Sequence, residues 1–164
     1  MKKTIVTLLV VAVALFAAPS LFAQETVTDI FGIEVGTFVG YNFAPAVEDI
    51  GAGQTLAMTF GIGEQSEIAM LFISAGANMP GFSLIRMSYY LMDEVGFRVY
   101  AGASPGGGTV ASGFGIFSYP VRRSFGDGAL TTALGLGLDY LVPDVSGAIE
   151  DGVLGVGLNA TIAF

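Results

Sequence analysis

A two-residue apolar period recurs along almost the whole chain after residue 30, and it constrains the fold more than any other feature. In Gly32–Phe43, Ile33, Val35, Val39, Tyr41 and Phe43 share one parity, and Glu34, Gly36, Gly40 and Asn42 share the other. Successive strand side chains point to opposite faces, so this is a strand with one apolar face. Leu130–Val142 repeats the pattern, with Leu130, Leu134, Leu136, Leu138 and Tyr140 alternating with Thr131, Ala133, Gly135, Gly137 and Asp139. Leu154–Phe164 does so again. Weaker alternation covers Gln54–Ile62, Phe82–Met92, Val95–Ala103 and Thr109–Tyr119. Glu67–Ala75 is apolar on both parities and reads as a strand whose faces stay unassigned. These eight strands lie near the ~9–11 residues of a membrane-spanning β-strand. The connections between them are Ala44–Gly53, Gly63–Ser66, Gly76–Gly81, Asp93-Glu94, Ser104–Gly108, Pro120–Gly128 and Pro143–Gly152. Their even spacing predicts one up-and-down antiparallel sheet.

Alternation does not say which face meets water, because a soluble barrel turns its apolar face inward and an outer-membrane barrel turns it toward lipid. The other parity favours lipid on the apolar side. It is glycine, serine, threonine and alanine with few charges, and it holds eleven of the 24 glycines. Such a face is a poor surface for water but fills a narrow lumen well. Aromatic side chains gather near the strand ends of the apolar face. With the first strand running outward, Phe60, Tyr89, Phe97 and Phe164 form an inner girdle and Tyr41, Phe43 and Tyr140 an outer one.

The start of the chain is expected to be a cleavable secretory signal peptide, residues 1–23, helical before removal. Met1-Lys2-Lys3 is cationic, Thr4–Ala18 is apolar, and Pro19–Ala23 leads to a small residue ahead of Gln24. The apolar run is shorter than the ~20 residues a spanning helix needs. Cleavage after Ala23 leaves 24–164 as a single barrel domain with four arginines, no lysine, fourteen acids and a net charge of −10. A soluble surface normally mixes both signs.

The segment Val156–Phe164, with Leu158, Ile162 and Phe164 on one parity, resembles the C-terminal assembly signal of outer-membrane β-barrel proteins. Together with the signal peptide and eight strands, the chain resembles the small eight-stranded barrels typified by outer-membrane proteins A (its membrane domain), X and W. Unlike the girdles of that family, those of this chain hold no tryptophan. The resemblance implies an all-β, eight-stranded antiparallel up-and-down transmembrane β-barrel in the cell outer membrane, reached by secretion through the inner membrane. It also implies outer-membrane lipid as surroundings, with barrel-assembly machinery and periplasmic chaperones as partners during biogenesis.

Position sorts the charges. Among the acids of strands with assigned faces, Glu34 and Asp139 fall on the inward parity, with Arg86 and Arg98 as their counterparts. An isolated buried charge is very costly and a paired one tolerable. These four are therefore expected to form an ion-pair cluster in the lumen, with Asp139 and Arg86 nearer the outer end and Glu34 and Arg98 nearer the periplasmic end. Arg122-Arg123 is expected in a periplasmic connection.

Composition removes most enzyme classes. The chain has no cysteine and no histidine, which excludes thiol chemistry and the commonest general base and metal ligand. Six basic residues against fourteen acidic ones argue against a nucleic-acid partner. Gly113-Phe114-Gly115, Gly135-Leu136-Gly137 and Gly155-Val156-Gly157 mimic dinucleotide fingerprints, yet they lie inside strands with no helix following. Gly106-Gly107-Gly108 lacks the partners of a phosphate loop. The acids Glu48, Asp49, Asp144, Glu150 and Asp151 match no defined ion-loop spacing and read as a solvated rim. No catalytic residue, metal or cofactor is expected. The function expected is a non-enzymatic, envelope-structural or surface-contact barrel with a filled polar lumen. The alternative is a porin-like role, as a small channel or a conduit for small or hydrophobic molecules.

Overall fold

Strand pairing takes up nearly all of the chain described by a computed structural model, which covers residues 31–44, 48–62, 65–92, 94–104, 109–126, 129–144 and 151–164. The expected signal peptide, the Gly106-Gly107-Gly108 turn and Glu150 lie outside those residues. The strands are β1 (Phe31–Asn42), β2 (Asp49–Gly61), β3 (Ser66–Ile73), β4 (Phe82–Met92), β5 (Val95–Ser104), β6 (Thr109–Phe125), β7 (Leu130–Val142) and β8 (Val153–Ala163). Each pairs antiparallel with the next, and β8 returns to β1 to close the barrel. The closing seam runs from Gly32 opposite Ala163 to Asn42 opposite Val153. Phe31 and Phe164 extend it by exchanging backbone hydrogen bonds of 3.3 and 2.8 Å. Closure leaves no unpaired edge.

Burial follows the parity of each strand. In β1, Glu34, Phe38, Gly40 and Asn42 are buried while Ile33, Val35 and Val39 are exposed. The faces of β3 are also fixed: Ala69, Leu71 and Ile73 point inward and Ile68, Met70 and Phe72 outward. Both faces read as apolar because the lumen beside β3 is itself lined by aliphatic side chains.

Two strands are longer than their periodicity predicts. β2 begins at Asp49, so Ile50–Gly53 belong to the sheet and pair with Phe38–Tyr41 of β1. The Gly-Ala-Gly stretch in that segment carries no alternation to detect. β6 runs on to Phe125, which places Arg122 and Arg123 in a strand and not in the expected connection. Pro120 falls where the ladder slips, between Ser118 and Val121, and pairing resumes from Val121 opposite Leu134 to Phe125 opposite Leu130. A proline lacks the donor a ladder needs and is tolerated at such a bulge.

The mouth beside the β1–β2 and β3–β4 connections is here called the upper mouth, and the opposite one the lower. The β3–β4 connection is more than a turn. It folds inward through an isolated bridge between Gly76 and Met79, and Met79 is buried among Phe38, Leu71, Ile73 and Phe82. Asn78 holds this cap in place. It adopts a left-handed φ of 59°, donates to Asp49 Oδ2 at 3.1 Å, and accepts at its backbone oxygen from Asn42 Nδ2 at 3.2 Å. Asparagine tolerates that backbone region and a β-branched residue does not. Asn78→Val is therefore expected to destabilise the barrel by about 1–3 kcal/mol. Asn78→Gly, which keeps the backbone and loses only the side-chain bonds, should cost less. Urea midpoints followed by circular dichroism on refolded protein would distinguish them.

Candidate functional site

The lumen is apolar toward the upper mouth. Phe38, Leu71, Ile73, Phe82, Leu84 and Leu141 pack there with Tyr100 and Val153. The filled lumen is thus apolar at this end and ionic further down. Eight strands enclose a space about filled by side chains, and bulky apolar groups fill it without leaving polar atoms unpaired. Near the lower mouth Tyr90, Phe117 and Tyr119 form a second cluster, with Tyr90 edge-on to Phe117 at a centroid distance of 5.1 Å.

A buried ionic network completes the filling. Arg86 of β4 donates through Nη1 to Glu34 Oε1 at 2.8 Å and through Nη2 to Glu34 Oε2 at 3.0 Å, spanning the lumen to β1. Its Nη2 also reaches Glu67 Oε1 of β3 at 2.8 Å. Glu67 accepts two further bonds of 3.0 Å, from the Ser88 and Tyr90 hydroxyls. Arg98 of β5 grips Asp139 of β7 with both prongs of its fork, Nε to Oδ1 at 2.8 Å and Nη2 to Oδ2. The Tyr100 hydroxyl donates to the same Oδ1 at 2.7 Å. The Arg98 guanidinium lies 5.6 Å from the Phe117 ring centroid and 5.8 Å from that of Tyr100, within cation–π range.

All four charges expected in the lumen are thus buried there and paired. The pairs cross the expected axial division: Arg86 binds Glu34 and Arg98 binds Asp139, each partner being the one expected at the other end. Long arginine side chains reach well away from their own Cα positions, so height along a strand does not choose the partner. Glu67 was missed. It belongs to the strand whose faces parity could not assign, so parity gives it no inward position. The network is therefore three carboxylates against two guanidiniums, with hydroxyl donors supplying the balance of hydrogen bonds.

Glycine makes the room. A Cβ at Gly137 would collide with the Arg98 guanidinium, and one at Gly115 with the Asp139 carboxylate. A Cβ at Gly157 would instead meet Arg98, Asp139 and Phe38 at an ordinary 3.8 Å. The cavity left beside both ion pairs measures about 20 Å³ and is lined in part by Glu34, Arg86, Arg98, Tyr100 and Asp139. That is space for roughly one water. The Arg86 Nε, buried without a protein partner, lies among its lining residues.

The Glu34 and Asp139 carboxylates are fully engaged. Both oxygens of Glu34 and both of Asp139 already accept from arginine, which leaves little carboxylate capacity for a metal. Among the described residues no three of the metal-binding types Asp, Glu, His and Cys stand together. The Ser88 hydroxyl is spent on Glu67 and is buried.

The expected girdle residues divide between the two mouths. At the lower mouth Phe60, Tyr89, Phe97 and Phe164 are exposed, with Tyr89 5.5 Å from Phe97 and Phe60 5.4 Å from Phe31. At the upper mouth Tyr41, Phe43 and Tyr140 are half-buried, with Tyr41 and Phe43 edge-on at 5.0 Å. Leu158, Ile162 and Phe164 all face outward along and just beyond β8. Comparison of the chain with family models, curated proteins and solved structures finds no match.

The glycine contacts give a graded test. Gly137→Ala and Gly115→Ala should each destabilise the barrel by about 1–3 kcal/mol through overpacking. Gly157→Ala should be close to neutral. Thermal melting of the three variants beside the parent would show the order.

Proposed function

We propose that the chain is a non-enzymatic barrel integral to an outer membrane, contributing to envelope structure or surface contact and closed to solute flow. Residues 1–23 would direct its secretion, and assembly machinery would insert residues 24–164. The outward face carries this reading. Among the described residues, twenty-seven large apolar side chains are exposed, including Ile85 at 55%, Leu134 at 54% and Leu158 at 60%. A soluble monomer rarely exposes a contiguous apolar patch beyond a few hundred Å², and an apolar band flanked by aromatic residues suits a bilayer. The filled lumen supports the closed state, since its ionic level leaves space for about one water.

The barrel should resist carbonate extraction and migrate compactly on electrophoresis until it is boiled. In planar bilayers the parent, Arg86→Ala and Asp139→Ala proteins should all fail to conduct. A carbonate-soluble protein with heat-independent mobility would end the membrane reading. Ion flow that appears or changes in either variant would favour a gated conduit.

A further inference from the structure

One amide interrupts the apolar outer wall. Gln54 of β2 is exposed and shares the outward parity of Ile50, Leu56, Met58 and Phe60. It is the one amide side chain on the outward face of the described strands. Thr37 of β1, also exposed, stands directly opposite it across the β1–β2 ladder. Among the described residues no hydrogen bond engages the Gln54 amide or the Thr37 hydroxyl. Gln54 is bonded through its backbone alone, its N–H donating to Ser74 Oγ at 2.9 Å and its oxygen accepting from Ser74 N–H at 2.8 Å.

Depth makes an unpartnered amide costly. Along β1, Thr37 lies six residues from Phe31 at the lower mouth and four from Tyr41 at the upper. Six residues of a strand tilted by ~40° climb about 15 Å and four about 10 Å, which together match the ~25 Å apolar band of a membrane barrel. Gln54, six residues from Phe60, shares that level. Hydrocarbon there offers no hydrogen-bond partner, so the amide is left to another protein group.

The chemistry fits a second copy of the same chain. A primary amide both donates and accepts, so two Gln54 side chains facing each other across a two-fold axis can exchange a pair of N–H···O bonds. A two-fold contact also sets a surface against itself, where any charge would meet its like. The recess of about 770 Å³ that Gln54 and Thr37 border has no charged residue in its lining. Val35, Leu56, Phe72 and Ser83 stand there instead.

We propose that two copies of the chain associate in the membrane through this face. Their Gln54 amides pair across a two-fold axis parallel to the barrel axes, with Thr37 beside them. The interface rests on the membrane-embedded reading above.

The test uses the chain without its signal, reconstituted in phosphatidylcholine vesicles at a dilution where chance encounters are rare. The chain has no cysteine, so a single substitution gives a unique crosslinking site. With a short bismaleimide, Thr37→Cys copies should join into dimers roughly tenfold more than Val99→Cys copies, whose site faces outward on β5. Adding Gln54→Leu to Thr37→Cys should lower that yield roughly tenfold. Heat-dependent mobility checks that each variant remains a closed barrel. A yield at Val99 equal to or above that at Thr37 would overturn the interface and leave the membrane reading standing. A Thr37 yield unchanged by Gln54→Leu would overturn the amide pairing and the proposal with it. A carbonate-soluble protein would overturn the membrane reading and the interface together.

Discussion

A closed sheet of eight strands must fill its own interior, and the rest of this molecule is arranged around that requirement. Each strand contributes every second residue to the lumen, so the filling is assembled from positions far apart in sequence. The solution has three levels: an apolar plug capped by Met79, an ionic belt on Arg86 and Arg98, and an aromatic cluster at Tyr90, Phe117 and Tyr119. Large inward groups are possible only where neighbours are small, which is why glycine faces the Arg98 guanidinium and the Asp139 carboxylate. The same requirement explains the cap, since the β3–β4 connection supplies the last apolar side chain the upper lumen takes.

The architecture was legible because alternation is a local signal and closure follows from strand number and order. What remained hidden was local in a different way. Asp49–Gly53 joined β2 through pairing with β1, yet it contains only one large apolar side chain to betray a face. Pro120 read as a breaker, but at a slip in the ladder its missing donor has nothing to satisfy, so Arg122 and Arg123 continue the strand. The inward fold of residues 74–81 left no trace in composition. It depends on Asn78 adopting a left-handed backbone and reaching Asp49, a contact between segments 29 residues apart.

Parity also found most of the ionic belt, because a charge inside a regular strand on the glycine-rich face has nowhere else to go. It could not choose the pairs. Partner choice depends on barrel shear and on the reach of arginine across the lumen, neither of which is written in one strand. Glu67 shows the limit of the method. Its strand is apolar on both faces because it borders lipophilic filling on the inside, and the one signal that orients it is the charge itself.

The belt joins strands that are not neighbours, β1 to β4 and β5 to β7, and adds a bond from β4 to the adjacent β3. Buried ion pairs often stabilise no better than well-packed apolar groups of the same volume, so stability alone is a weak reason for them here. Their effect on register is stronger. A one-residue slip of β7 against its neighbours would turn Asp139 to the apolar outer face and bring Leu138 or Tyr140 inward, leaving Arg98 buried without its carboxylate. An apolar lumen would oppose the same slip only weakly, because leucine and valine are tolerated on either face. Charges placed on the inward parity of four strands, with Glu67 on a fifth, therefore penalise misregistered closure far more than they deepen the native minimum. In a sheet whose strands otherwise differ little from one another, that discrimination is what fixes each strand in its place.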